Sequence, residues 1–144
     1  LLEPDERRRL TSVQRAGVEP VIRAFEEKDA YLEALRAAVA EPGEGLTAIV
    51  AESDARVSWL AKQLGDTVTV IRGGMSLPAE GVVLLPLRVA KGLEFDHVIV
   101  PDAQAEVYPD TPLARRRLYT ALSRAMHRVT VLAQGPITPM LGAR

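Results

Sequence analysis

The sequence predicts an α/β domain built on a mostly parallel sheet covered by helices on both faces, a three-layer architecture. Three features point there. Beyond residue 45, short apolar runs alternate with segments of helical periodicity. The runs are continuously apolar, as strands buried on both faces must be. The segments between them show the single apolar stripe of helices lying on a sheet.

Taken in order, residues 1–18 are polar and basic, with Arg7-Arg8-Arg9 and Arg15 and little periodicity. A helix is expected from Glu19-Pro20, with Pro20 suited to the first helical position and a stripe of Ile22, Phe25, Leu32, Leu35 and Val39. Glu41-Pro42-Gly43-Glu44-Gly45 stops it. Thr47–Ala51 reads as a strand, Ser53 or Asp54 as a helix cap, and 54–64 as a helix with Val57, Leu60, Ala61 and Leu64 inward. Gly65-Asp66 ends that helix, and Thr67–Ile71 is the next strand. Gly73-Gly74 and Pro78 to Gly81 mark a loop. Strands follow at 82–87, 98–100 and 129–132, with a helix at about 112–127 between the last two. The tail after Gln134, with Gly135, Pro136, Pro139 and Gly142, reads as unstructured. The expected organisation is a basic segment and helix at 1–45, belonging to the same domain, a core at 46–134, and a flexible tail at 135–144.

Composition narrows the function. The 144 residues are 47% hydrophobic and 26% charged, the balance of a globular domain long enough to bury a core. With no cysteine, disulfide scaffolds, thiol catalysis and thiolate zinc sites fall away. Two distant histidines, His97 and His127, make a poor metal site, so no metal ligand is assigned; His97 reads as structural and His127 as surface. The longest apolar run, Val82 to Leu87, is far short of the ~20 residues that span a bilayer, so no membrane partner is expected. No charged-then-apolar leader opens the chain, and a cytoplasmic location is expected. The first residue is Leu1 rather than Met, which reads as a piece of something larger. A formal net charge of −1 confines any nucleic-acid contact to local patches.

Open parallel sheets bind ligands beyond the carboxyl ends of their strands. The loops there place Arg88, Lys91, Glu94, Asp96, Asp102 and Asp110 among the candidates. Neither a Gly-x-x-x-x-Gly-Lys-Ser/Thr loop nor a Gly-x-Gly-x-x-Gly turn is present, so the usual triphosphate cradle is missing. Two stretches stand above generic architecture. Val89-Ala90-Lys91-Gly92-Leu93-Glu94-Phe95-Asp96 sets a lysine, a glycine and a glutamate into a tight turn anchored by Phe95, with Lys91 and Glu94 left to face a ligand or to pair with each other on a solvated turn. Arg117-Leu118-Tyr119-Thr120-Ala121-Leu122-Ser123-Arg124-Ala125 is expected to be helical, packing Ala114, Leu118, Ala121, Leu122 and Ala125 on the sheet. Arg117, Arg124 and Arg128 then fall within about 40° of one another, with Thr120 and His127 beside them. Such a row suits phosphate, or is a solvated basic face.

Ala-Lys-Gly-Leu-Glu-Phe, then a strand, then a helix ending Tyr-Thr-Ala-Leu-Ser-Arg-Ala resembles the last two motifs of UvrD-like superfamily-one helicases, firmly over residues 82–133. In that family ATP lies with Mg²⁺ between two RecA-like (P-loop NTPase-type) domains, and the first domain holds the phosphate loop and most of the metal's ligands. The resemblance implies that this chain is the second motor domain, lacking the Walker A loop. It is thus part of an ATP-dependent helicase or ATPase, inactive as an isolated fragment. Its partners would be the N-terminal RecA-like domain of the same protein and single-stranded DNA. The resemblance also implies that Arg124 is the arginine finger meeting the γ-phosphate. Glu94 would contact the nucleotide, with Gly92 allowing close approach. Leu10-Thr11-Ser12-Val13-Gln14-Arg15 resembles a degraded Asn-Tyr-Arg-Ser motif, which would make Arg15 a second γ-phosphate ligand.

One departure bears on the substrate. UvrD itself has Thr-x-His before Ala-Lys-Gly, where it helps hold DNA; here those positions are Pro86, Leu87 and Arg88. Arg88 and Lys91 remain as candidate nucleic-acid contacts. The proline version is similar to the HelD branch, whose members act on RNA polymerase, and the short span from Phe95 to Arg115 leaves no room for the large UvrD insertion. Three readings follow: a DNA helicase or translocase, an RNA polymerase remodeller, and an interaction module that keeps the fold without the motor.

Overall fold

A computed structural model describes residues 20–142. The strands β1 (Val21–Phe25), β2 (Leu46–Ala51), β3 (Thr69–Val70), β4 (Gly81–Pro86), β5 (Phe95–Val100) and β6 (Ala125–Gln134) form one sheet in the order β1-β6-β5-β2-β4-β3. Every pairing between them is parallel. The helices are α1 (Lys28–Ala40), α2 (Asp54–Leu64), the single turn α3 (Leu87–Ala90), α4 (Pro112–Leu122) and the short α5 (Pro139–Gly142). Among the described residues no helix is long and apolar enough to cross a membrane.

The strand period of two divides the core into two layers. Ala48 and Val50 of β2, Val83 and Leu85 of β4, and Val129 and Val131 of β6 point to one face, where they pack with Leu118, Ala121 and Leu122 of α4, Ala90 of α3 and Leu141 of α5. Ile49, Leu84, Ile99 and Leu132 point to the other, against Tyr31 and Leu35 of α1 and Leu60 of α2. Phe95 and Val98 share a face despite their odd separation, because a register shift between Phe95 and His97 inserts the missing half-period. Both long crossover helices start as their sequences require. Ser53 accepts the Arg56 amide at 3.3 Å, and Thr111 accepts the Ala114 amide at 3.2 Å with Pro112 following.

Besides the strand expected over 67–71, which shrinks to Thr69–Val70, the observed elements depart from the expected ones at four places. Residues 21–25 are the edge strand β1, not the start of a helix, and the helix begins at Lys28. Ile22 packs with one core layer and Phe25 with the other, as strand residues three apart must. The helix expected over 112–127 ends at Leu122, and β6 begins at Ala125, where Ala125 pairs with Phe95. Arg124, His127 and Arg128 are therefore not on α4, and the expected helical row of Arg117, Arg124 and Arg128 does not form. Residues 135–142, read as unstructured, are held in place. The Ala105 amide donates to the Pro136 carbonyl, Gln104 bridges to Ile137, and Thr138 is fully buried with its hydroxyl on the Tyr108 carbonyl at 2.6 Å. Finally Asp102, grouped with the ligand-facing loops, is 1% exposed. Its carboxylate takes Arg56 Nε at 3.0 Å and Nη2 at 2.8 Å, while the Tyr31 hydroxyl donates between it and the Pro101 carbonyl. Burial, and then Asp102, raise the Tyr31 hydroxyl far above its ordinary pKa. This cluster ties α1 and α2 to the end of β5.

Candidate functional site

The sequence-predicted residues fall into two neighbouring groups, one at the amino-terminal edge of the sheet and one along a cleft that opens beyond its carboxyl edge. Gly92 and Glu94 precede the first residue of β5, and Arg124 precedes the first residue of β6, so the parallel sheet sets all three at its amino-terminal edge. The Leu93 amide donates to the Ala90 carbonyl at 3.0 Å to close the turn, Gly92 adopts a φ of +82° there, and Phe95 is fully buried beneath it. Nothing lies within 4 Å of a Cβ built on Gly92, so the glycine answers the backbone conformation rather than crowding.

Arg124 is half-buried against this turn, and its amide nitrogen and side chain both serve the end of α4. The amide donates to the Ala121 carbonyl at 3.2 Å, Nε to the Thr120 carbonyl at 3.2 Å, Nη1 to the Leu93 carbonyl at 3.5 Å and Nη2 to the Ser123 hydroxyl at 3.2 Å. In return its carbonyl accepts the Phe95 amide at 2.8 Å. Every one of these acceptors is neutral, whereas Arg56, Arg88 and Arg115 each pair with a carboxylate. The guanidinium is thus oriented without being neutralised, the condition for meeting an incoming anion. Glu94 is exposed beside it, and among the described residues it makes no pair with Lys91.

The same edge holds a loop clamp that the sequence did not single out. Asp96 Oδ2 accepts the Leu46 amide at 2.8 Å, and Arg128 Nη2 donates to the Pro42 carbonyl at 2.6 Å. Gly45, with φ of +83°, passes so close that a Cβ would meet Asp96 Oδ2 at 2.2 Å. His97 is 4% exposed, with Nε2 at 2.8 Å from the Thr130 hydroxyl and Nδ1 at 3.2 Å from Arg128 Nη2. Arg128 can only donate, so Nδ1 accepts and Nε2 bears the proton. Burial and the Arg128 charge lower the His97 pKa to about 4. His127 is exposed, 3.6 Å from Asp96 Oδ1.

Beyond the carboxyl ends of β2 and β4 opens a cleft of about 520 Å³ that runs back along α4 as far as Thr120. Arg88 and Lys91 reach it, joined by Arg116, Arg117 and Thr120 of α4 and by Glu52 and Asp54. Arg88 pairs with Asp54 through Nε at 2.9 Å and Nη2 at 2.8 Å, which holds the Asp54 carboxyl below its ordinary pKa. Both partners are mostly exposed, and such a pair adds little to stability. Asp110 is an exposed partner of Arg115. Arg116 was missed in the sequence, although its signal was there: Leu113, Arg116, Arg117 and Thr120 stand at i, i+3, i+4 and i+7 on α4. Arg15 lies outside the described residues. Among the described residues no three histidine or acidic side chains converge as a metal site.

A sequence model of the UvrD-like helicase C-terminal domain matches residues 81–132, the segment from β4 through α4 into β6. No curated protein matches the chain. Among solved structures, the C-terminal domain of a possible DNA helicase from Lactobacillus plantarum WCFS1 superposes with a TM-score of 0.77 at 32% identity, covering 93% of this chain and 89% of that one. A fainter likeness, at TM-score 0.48 and 16% identity over 83% of this chain and 29% of the other, is to Arterivirus nonstructural protein 10, a helicase, in complex with DNA. A match of that identity along nearly the full length of both chains, with the family model over the turn that holds Lys91 and Glu94, over α4 and over Arg124 beyond it, establishes kinship: the chain belongs to the UvrD-like helicase C-terminal domains.

Proposed function

We propose that this chain is the second RecA-like motor domain of an ATP-dependent DNA helicase or translocase working in the cytoplasm. Its partner is the N-terminal RecA-like domain of the same protein, which supplies the phosphate loop and most ligands of the Mg²⁺ that accompanies ATP. Arg124 is the arginine finger, Glu94 and the Gly92 backbone contact the nucleotide, and Arg15 is a further γ-phosphate ligand. Arg88 and Lys91 contact single-stranded DNA.

The observation behind this reading is the setting of Arg124. Its guanidinium is fixed by two carbonyls and a hydroxyl at the edge where Glu94 and Gly92 are exposed, with no carboxylate on it among the described residues. An oriented cation brought to the γ-phosphate stabilises the charge that spreads over the transferring phosphoryl group. The test is steady-state turnover of the full-length protein at saturating ATP. Arg124→Ala is expected to lose about 10³-fold or more. Arg124→Lys is expected to recover only part, since an ammonium lacks the planar fork. Wild-type turnover in both variants would refute the finger assignment.

A second reading, a HelD-type ATPase that remodels or releases RNA polymerase, is favoured by the junction of β4 and α3. Pro86 and Leu87 are buried, and the only polar side chain of that triplet, Arg88, is already engaged by Asp54. Turnover stimulated by RNA polymerase and indifferent to single-stranded DNA selects it.

A further inference from the structure

We infer that Ser123 is the positioning residue of the arginine finger: its hydroxyl sets the plane of the Arg124 guanidinium before a nucleotide arrives. The inference rests on the motor reading and deepens it, by naming the group that aims the proposed finger.

Ser123 ends α4 and stands between its last residue and Arg124. The last carbonyls of a helix have no intrahelical donors, and here two adjacent side chains reach one of them. The Ser123 hydroxyl donates to the Thr120 carbonyl at 3.0 Å, and Arg124 Nε donates to the same oxygen at 3.2 Å. A hydroxyl carries one proton and two lone pairs. With that proton on Thr120, the Ser123 oxygen is left to accept, and Arg124 Nη2 donates to it at 3.2 Å. The contacts close a ring, Thr120 carbonyl to Ser123 hydroxyl to guanidinium and back. Its base is rigid, because Leu118, Ala121 and Leu122 around Thr120 are buried on the sheet. Held by Nε alone, the guanidinium would turn about that single anchor. The Leu93 carbonyl meets Nη1 only at 3.5 Å, the limit of a hydrogen bond, so the second firm anchor is Ser123. Of the five guanidinium N–H donors, these contacts use three, which leaves one on each terminal nitrogen among the described residues. That remaining pair is the fork that two phosphate oxygens can take. An electrostatic contact of this kind works best when its dipoles need no reorganisation during the reaction, and the ring supplies that order in advance.

The experiment measures kcat and KM for ATP in the full-length protein by release of radiolabelled phosphate, which also reads the slow variants. It compares wild type with Ser123→Ala, Ser123→Thr, Arg124→Ala and the double variant Ser123→Ala/Arg124→Ala. Ser123→Ala is expected to lower kcat about tenfold with KM unchanged, the mark of an interaction that matters in the transition state. Ser123→Thr keeps the hydroxyl and is expected within about twofold of wild type. In the Arg124→Ala background, Ser123→Ala is expected to cause no further loss, because a residue that acts through the finger has nothing left to aim. Wild-type kcat in Ser123→Ala, beside a nearly inactive Arg124→Ala, overturns the inference and leaves the finger standing. A loss that is as large without Arg124 as with it also overturns the inference, in favour of a cap that merely holds the helix end. A loss retained in Ser123→Thr would show that the hydroxyl is not the operative group, and overturns it too. Wild-type turnover in Arg124→Ala removes the finger reading and this inference together, whatever Ser123→Ala does.

Discussion

At the residue scale, the finger candidate has two duties. Arg124 caps the last carbonyls of α4 and offers its charge at the sheet edge, so Arg124→Ala should also cost about 1 kcal/mol of stability, seen as a small shift in the denaturation midpoint. A loss of 3 kcal/mol or more would mean that its role is chiefly structural. Glu94 has no such double role, since it is exposed and unpartnered among the described residues. Glu94→Ala should raise the dissociation constant of an ATP analogue for the full-length protein by about five- to tenfold, the worth of one hydrogen bond, with an unchanged unfolding transition. An unchanged affinity would leave Glu94 as turn surface. Asp102 is the contrary case, a charge that looks functional in the sequence and is structural in the fold. Asp102→Ala leaves Arg56 without its carboxylate and the Tyr31 hydroxyl with the Pro101 carbonyl alone, and should cost about 3 kcal/mol in denaturant titration.

At the scale of the elements, α4 is the piece on which both groups depend, and its buried stripe fixes where its cleft-lining stripe points. Leu122 is 2% exposed at the last turn, so Leu122→Ala should destabilise the domain by about 2–5 kcal/mol. Gly45→Ala forces a side chain into a left-handed backbone and onto Asp96, at about 2–3 kcal/mol; a neutral substitution would show that the 42–45 loop yields easily. Much of this level was legible in the sequence. The bounds of α2 are set by Ser53 and Gly65, local signals that the fold obeys. The parallel sheet follows from strands too apolar to have a wet face. What was not legible depended on distant partners. Ile22 and Phe25 satisfy a helical spacing as well as a strand's, and only pairing with β6 decides between them. The apolar pattern of α4 runs on through Ala125, but the Phe95–Ala125 pairing draws that residue into β6 and takes Arg124 and Arg128 off the helix. Asp102 looks like loop charge until Arg56, 46 residues away, closes on it.

At the scale of the whole molecule, a cationic cleft opens beyond the carboxyl ends of β2 and β4 and runs back along α4 to Thr120, whose carbonyl holds the oriented Arg124 at the amino-terminal edge. Stability across that body should be acid-sensitive through His97. Its native pKa of about 4 lies below the ordinary value of 6.5, so between the two the unfolded chain binds the proton and the native one does not. Stability is therefore complete above pH 6.5 and is lost as pH falls toward 4, by up to about 3 kcal/mol. Denaturation midpoints at pH 7 and pH 4.5 for wild type and His97→Gln check this: the variant should lose less on acidification, and equal losses would assign the acid sensitivity elsewhere. The central claim, that the amino-terminal edge serves ATP while the cleft serves a polymer, is tested most directly by ATP turnover of the full-length protein, with and without single-stranded DNA, wild type beside Arg124→Ala. The account predicts DNA-stimulated turnover in the wild type and almost none, stimulated or not, in the variant. Equal turnover in the two proteins would contradict it and leave Arg124 as the cap of a helix.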